Sequence, residues 1–236
     1  MKVDINNMPE AIKDDCLMDT VVEIFYRTDF SKDYLENLIL NGLAEKFGES
    51  VFNKIPVVVN GVVKEGLWFI ANNQFRIMID NAIISFNIVD KYPKWEAYSS
   101  FIKYVLSLMK NNNVFFSKTS IRYVSLFGNV ELARMIDGTL KMNQLIAFEG
   151  SQYRFQCDVN DDNGHVVARA EVQLSDRYRL SEHNMSSIID VRVWCDSLSE
   201  DNNYDGLLAA LDMAHRHQKH LFFLLLSESF YNELKV

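Results

Sequence analysis

Apolar and polar positions alternate most cleanly over residues 74–80, where Phe75, Ile77 and Ile79 are separated by Gln74, Arg76, Met78 and Asp80. A period of two is that of a strand with one face on a core and the other in water. The flanking stretches 67–71 and 82–88 read as further strands, the first joined to 74–80 at Asn72 and Asn73. From Pro93 the period lengthens, and Trp95, Tyr98, Ile102, Val105 and Leu106 recur on one side of a helix. Residues 67–108 therefore read as antiparallel strands closed by a long amphipathic helix, which Asn111, Asn112 and Asn113 terminate.

Upstream, residues 1–18 have little period and read as an arm with a short helical turn at 10–16. Residues 20–26, TVVEIFY, are β-branched and aromatic, as a strand should be. Ser31 is the natural N-cap of a helix whose apolar positions are Leu35, Leu38, Ile39, Leu43 and Phe47, with Gly48 as its stop. Residues 51–64 are a strand pair or one extended strand, with Asn60 and Gly61 as a hairpin turn signal.

Downstream the same order returns. Residues 119–127 form a strand with Ile121 and Tyr123 on one side and Arg122 and Val124 on the other, and 130–140 form a short helix. Strands at 145–159 and 165–174 flank a turn at 160–164, and a polar stretch, 175–185, leads to a last strand at 187–195. The final helix carries the stripe Leu207, Leu208, Leu211, His215, Gln218, Phe222 and Leu225. The fold expected is α+β: an arm (1–18) and two quasi-repeated β-α-β(3-4)-α units (19–113 and 114–236), with helices packed on one face of a mostly antiparallel sheet. Saddle-shaped sheets of the TATA-binding-protein-like kind are built this way. One continuous domain gripping a long helix gives nearly the same string of elements.

Composition adds few constraints. A chain of 236 residues with 48% hydrophobic and 24% charged residues has ordinary globular content. The longest apolar run, 221–226, is far short of the roughly 20 residues of a spanning helix, so no membrane is expected. Residues 1–9 carry Asp4 and Asn6 where a signal peptide would have a basic end and an apolar stretch, so export is not expected. Cys16, Cys157 and Cys195 lack CxxC spacing and read as reduced thiols of a cytoplasmic protein. A net charge of −8 gives no global attraction to nucleic acid, which would need a local basic patch.

Candidate chemistry is sparse. In the run His215 to His220, residues two apart point about 200° apart on a helix, so only His217 and His220 could share a face, and no metal site is assigned. His215 differs, because it lies within the apolar stripe. It reads as a satisfied core histidine, or as a ligand contact or general base beside the sheet. Asp158, Asn160 and Asp162 have the spacing of a calcium loop, but the glycine comes one place late at Gly164 and Arg169 stands where the bidentate glutamate belongs. A polar hairpin tip fits better. No GxSxG, HExxH, phosphate-binding loop or dinucleotide fingerprint occurs. No cofactor is called for, although an enzyme site assembled from distant residues stays open.

The polar sides of the later strands carry Arg154, Gln156, Asp158, Arg169, Glu171, Asp190 and Arg192. Their mixed signs favour cross-strand ion pairs over a phosphate or RNA platform. Trp194 shares that face and could mark an exposed sticky patch.

Several short motifs recur together: VVEIFY at 21–26, GLWF at 66–69, YPKW at 92–95, IRY at 121–123, and His215 ahead of Phe222, Phe223 and LLS at 225–227. In that order they resemble a sporadically distributed bacterial family of uncharacterised proteins, over nearly the whole chain. The chain departs from the family pattern at Ser125, where an asparagine is expected. The resemblance implies a cytoplasmic bacterial accessory protein and singles out Arg122, Tyr123 and His215; it implies no activity or cofactor.

The function expected is thus a non-enzymatic interaction protein that uses an open sheet face or edge for a protein partner or for self-association as a dimer. Arg154, Arg169, Arg192 and Trp194 are its candidate contacts. The alternative is a small-ligand or nucleotide site between sheet and C-terminal helix at His215, Arg122 and Tyr123. Nucleic-acid binding ranks third.

Overall fold

The computed structural model describes residues 8, 9, 12, 16–48, 51–59, 62–71, 74–80, 82–89, 91–110, 112–136, 152–161, 163–179, 185–196 and 203–234, with the backbone alone at 51–59, 62–71, 177–179, 185 and 203. In chain order the elements are β1 (Leu17–Arg27), α1 (Lys32–Phe47), β2 (Val51–Val59), β3 (Val62–Ala71), β4 (Phe75–Ile79), β5 (Ile83–Ile88), α2 (Trp95–Lys110), β6 (Phe115–Gly128), α3 (Leu132–Met135), β7 (Gln152–Asn160), β8 (Val166–Arg179), β9 (Met185–Asp196), α4 (Asn203–Leu225) and α5 (Glu228–Leu234). The fold is α+β, and the order β-α-β(4)-α followed by β-α-β(3)-α is the one the sequence pattern anticipates. The chain divides into two compact units, one of Val21–Ser120 with Asp196–Leu211, the other of Met1–Thr20, Ile121–Cys195 and Asp212–Val236. These divisions differ from the sequence boundaries after 18 and 113, because β1, β6, β9 and α4 each supply residues to both units.

In the unit holding Val21–Ser120, the strand order is β2-β3-β4-β5-β1-β6. The pairs β2–β3, β3–β4, β4–β5 and β1–β5 are antiparallel. The alternation in β4 buries Phe75, Ile77 and Ile79, and Ile84 and Phe86 of β5 join them. Helix α1 begins where the Ser31 side chain accepts a hydrogen bond from Tyr34 N at 3.3 Å, and it ends at Gly48, whose φ of 75° and N–H bond to Ala44 O suit glycine. Helix α2 buries Tyr98, Ile102, Val105 and Leu106, as its stripe anticipates. Phe101, outside that stripe, also enters the core and stacks on Phe75 with ring centroids 4.2 Å apart. Tyr104 Oη donates to Gly42 O at 2.6 Å, so α1 and α2 meet at a residue with no side chain to hold them apart.

In the other unit the order is β6-β9-β8-β7, with β7–β8 and β8–β9 antiparallel. Val172 and Leu174 of β8 and Ile189, Val191 and Val193 of β9 form the buried side. Ser187, fully buried, places its Oγ 2.6 Å from Val130 O and 3.1 Å from Asp176 Oδ1, while Asp176 accepts from Leu132 N at 3.0 Å. This fixes the start of α3 against β8 and β9. Ser227 N donates to Met135 O at 2.7 Å, and Phe127 contacts Phe222 and Phe230.

Some elements depart from the sequence reading. β3 is one strand through Gly66, which stays in register opposite Ile55, rather than two segments. The polar stretch 175–185 is partly sheet: Ser175 is buried and β8 continues beyond it after a register irregularity. Helix α5 was not anticipated, because α4 and α5 are divided by only a short break at Leu226 and Ser227. Of the arm's helical turn only Ile12 and Cys16 are described, and the stretches 137–151 and 180–184 of other expected elements lie outside the described residues.

Candidate functional site

The register of β7, β8 and β9 fixes one polar face in three rows. Arg154 lies beside Gln173 and Asp190; Gln156 beside Glu171 and Arg192; Asp158 beside Arg169 and Trp194. The four candidate contacts Arg154, Arg169, Arg192 and Trp194 therefore share a face. Arg122 of β6, the strand next to β9, joins it by reaching Asp190: Nε lies 3.0 and 3.1 Å from the two carboxylate oxygens and Nη2 lies 2.6 Å from Oδ2. Arg154 Nη2 bonds Glu171 Oε2 at 2.8 Å and Gln156 donates to the same oxygen at 2.9 Å. These hydrogen bonds, Arg154 first, hold the Glu171 carboxyl below the ordinary range against an opposing burial effect, and the charges of Arg154 and Arg192 act in the same direction. Arg169 is only loosely engaged, 3.8 Å from Asp158, and the Arg192 guanidinium lies over the Trp194 ring at 5.0 Å. Three carboxylates thus stand among four arginines, which is the cross-strand pairing expected from the mixed signs.

Arg122 and Tyr123 are neighbours on a strand, and so they point to opposite faces. Tyr123 lies on the side of α4, its ring centroid 6.1 Å from that of His215. The three residues singled out together in the sequence are split: Tyr123 and His215 meet, while Arg122 is across the sheet with Asp190. His215 is partly buried, and its pKa is pushed down to about 3 by burial, with Lys219 and Arg216 adding. The imidazole is thereby held neutral beside the Tyr123 ring. Gln218, one turn on, is buried, and its Oε1 has no hydrogen-bond partner among the described residues. Burial, His220 and Arg216 also lower the His217 pKa. Among the described residues no group of three or more His, Cys, Asp or Glu is placed to hold a metal ion, and no helix is long and apolar enough to cross a membrane. The Asp161 carboxylate accepts from the N–H groups of Asn163 and His165, each at 2.9 Å, and so builds the hairpin tip expected at this loop.

A further feature was not read from the sequence. β7 stands at the end of the strand order and, among the described residues, pairs with β8 alone. On its core side Phe155 is 42% exposed and Tyr153, Cys157 and Val159 are half-buried, whereas the residues opposite them on β8, Val172, Leu174, Ala170 and Ala168, are at most 5% exposed. Val166, where β8 begins, is 56% exposed. Strand alternation shows which residues share a face; it does not show that the face runs past its cover.

No protein-family model matches the chain, and no significant match is found among the curated proteins or the solved structures. The geometry of the chain itself therefore carries the functional argument.

Proposed function

We propose that this chain is a non-enzymatic interaction protein that engages a polypeptide strand at the outer edge of β7. The observation that carries the reading is the row Tyr153, Phe155, Cys157 and Val159, apolar and incompletely covered on a strand that has one neighbour among the described residues. An edge strand offers a line of backbone donors and acceptors, and an apolar row beside it gives a partner side chains to pack against. Proteins block edges they do not use with proline, lysine or inward charge. β2, which ends the strand order in the unit holding Val21–Ser120, contains Lys54 and Pro56; β7 contains neither residue type. The reading places the protein in the bacterial cytoplasm as an accessory factor, in line with the resemblance of its motifs.

The test is the single substitution Phe155→Lys, made at a side chain 42% exposed on an edge strand, with the circular-dichroism spectrum of the variant checked against wild type. Polypeptides captured by the wild-type chain from its native cells, and crosslinked to residues of β7, are expected to be lost with this variant. An identical set bound by both proteins would refute the reading.

A further inference from the structure

We propose that the strand received at β7 is a second copy of β7, paired antiparallel about a twofold axis through Gln156. The inference rests on the interaction reading above and names its partner.

A twofold pairing through a residue centre keeps like faces together, polar with polar and apolar with apolar. Centring on Gln156 sets Arg154 opposite Asp158 of the second copy, and Asp158 opposite Arg154, so that two ion pairs form by symmetry. On the other face Phe155 meets Cys157 and Tyr153 meets Val159, and the incompletely covered row is extended by its own mate. The neighbouring centres do less well. About Phe155, Arg154 faces Gln156; about Cys157, Asp158 faces Gln156; neither makes an ion pair. An axis between two residues sets apolar side chains against polar ones across the whole strand. β7 is thus self-complementary in one register.

The charged groups are available for this. The Arg154 side chain is 67% exposed and uses one nitrogen on Glu171, and a guanidinium has five N–H donors. The Asp158 side chain is 58% exposed and meets Arg169 at only 3.8 Å. An interface built on one strand pair falls at the small end of specific interfaces, below about 1,200 Å² in total. The dimer therefore forms reversibly with concentration and weakens as salt screens its rim charges.

Charge reversal tests both partner and register by sedimentation across a concentration series. Arg154→Asp sets aspartates opposite each other, and Asp158→Arg sets arginines opposite each other, so each variant alone is expected to self-associate at least about tenfold more weakly than wild type. Mixed one to one, the two variants regain both ion pairs and associate with each other, which also shows that both are folded. In a Cys157→Ser background, Gln156→Cys is expected to form an intermolecular disulfide under copper–phenanthroline oxidation, because opposed Cα atoms about 4.5–5.5 Å apart are within disulfide reach. A chain that stays monomeric throughout overturns the proposal. So does a dimer indifferent to both reversals, a mixture of folded variants that does not associate, or a wild-type Cys157 to Cys157 crosslink. In the monomeric case, capture of a different polypeptide that Phe155→Lys abolishes leaves the interaction reading standing, and loss of both results removes that reading as well.

Discussion

Arg122 holds Asp190 side-on, with Nε 3.0 Å from Oδ1 and Nη2 2.6 Å from Oδ2, the two-point geometry that guanidinium and carboxylate share. The Asp190 side chain is only 11% exposed and the Arg122 side chain 41%, so the carboxylate depends on the pair more than the arginine does. Replacing Arg122 by leucine leaves a mostly buried carboxylate without its partner and is expected to cost about 2 kcal/mol, within the range for hydrogen bonds to charged groups. Adding Asp190→Leu should recover most of that loss, because both polar groups are then gone. Urea unfolding of the two single variants and the double variant measures the coupling. Equal losses that simply add would show that the pair contributes nothing beyond its separate residues.

His215 makes the fold sensitive to acid. Its folded pKa, about 3, lies below the ordinary 6.5, so the unfolded chain binds the proton more readily. Its contribution to stability is complete above pH 6.5 and is lost as the pH falls from there toward 3. His215→Phe, which keeps the ring and removes the titration, should flatten the fall in melting temperature across this window. The neighbouring His217, whose pKa is also lowered, contributes in the same direction, and so His215→Phe with His217→Gln should flatten it further. An unchanged profile in both variants would contradict the assignment.

Tyr98 is fully buried in the unit holding Val21–Ser120 and donates its hydroxyl to Phe86 O at 2.7 Å, tying α2 to β5. Tyr98→Phe keeps the ring packing against Phe75 and leaves that buried carbonyl without this donor. A loss of about 1–2 kcal/mol is expected in equilibrium unfolding. Tyr104→Phe, which removes the bond to Gly42 O at a more exposed position, should cost less.

Local signals were legible wherever a neighbour in sequence is also the neighbour in space. The Ser31 cap, the Gly48 stop, the alternation of β4 and the stripe of α2 each depend on residues a few positions apart, and each stands where its pattern puts it. The hairpin tip at Asp161 belongs with them. The extent of β8 was hidden because Ser175 and Asp176 read as loop residues, while Asp176 accepts from the backbone of α3 and Ser175 stays in the ladder. Phe101, three residues after Tyr98 and four before Val105, borders the stripe read for α2, but that it stacks on Phe75 is a contact no helical period encodes.

The candidate site divides in the same way. That Arg122 and Tyr123 face apart follows from the two-residue period of any strand, and the mixed polar face of β7, β8 and β9 follows from it as well. The sequence by itself thus determined the elements, their order and which side chains share a face, because propensity and periodicity act within a few residues. Only the tertiary structure decided that Asp190 is the partner of Arg122, that Tyr123 is the neighbour of His215, and that β7 ends the strand order with Phe155 incompletely covered. Strand order depends on pairings between residues far apart in the chain, and the free energy that selects among them belongs to the whole sheet and its cover.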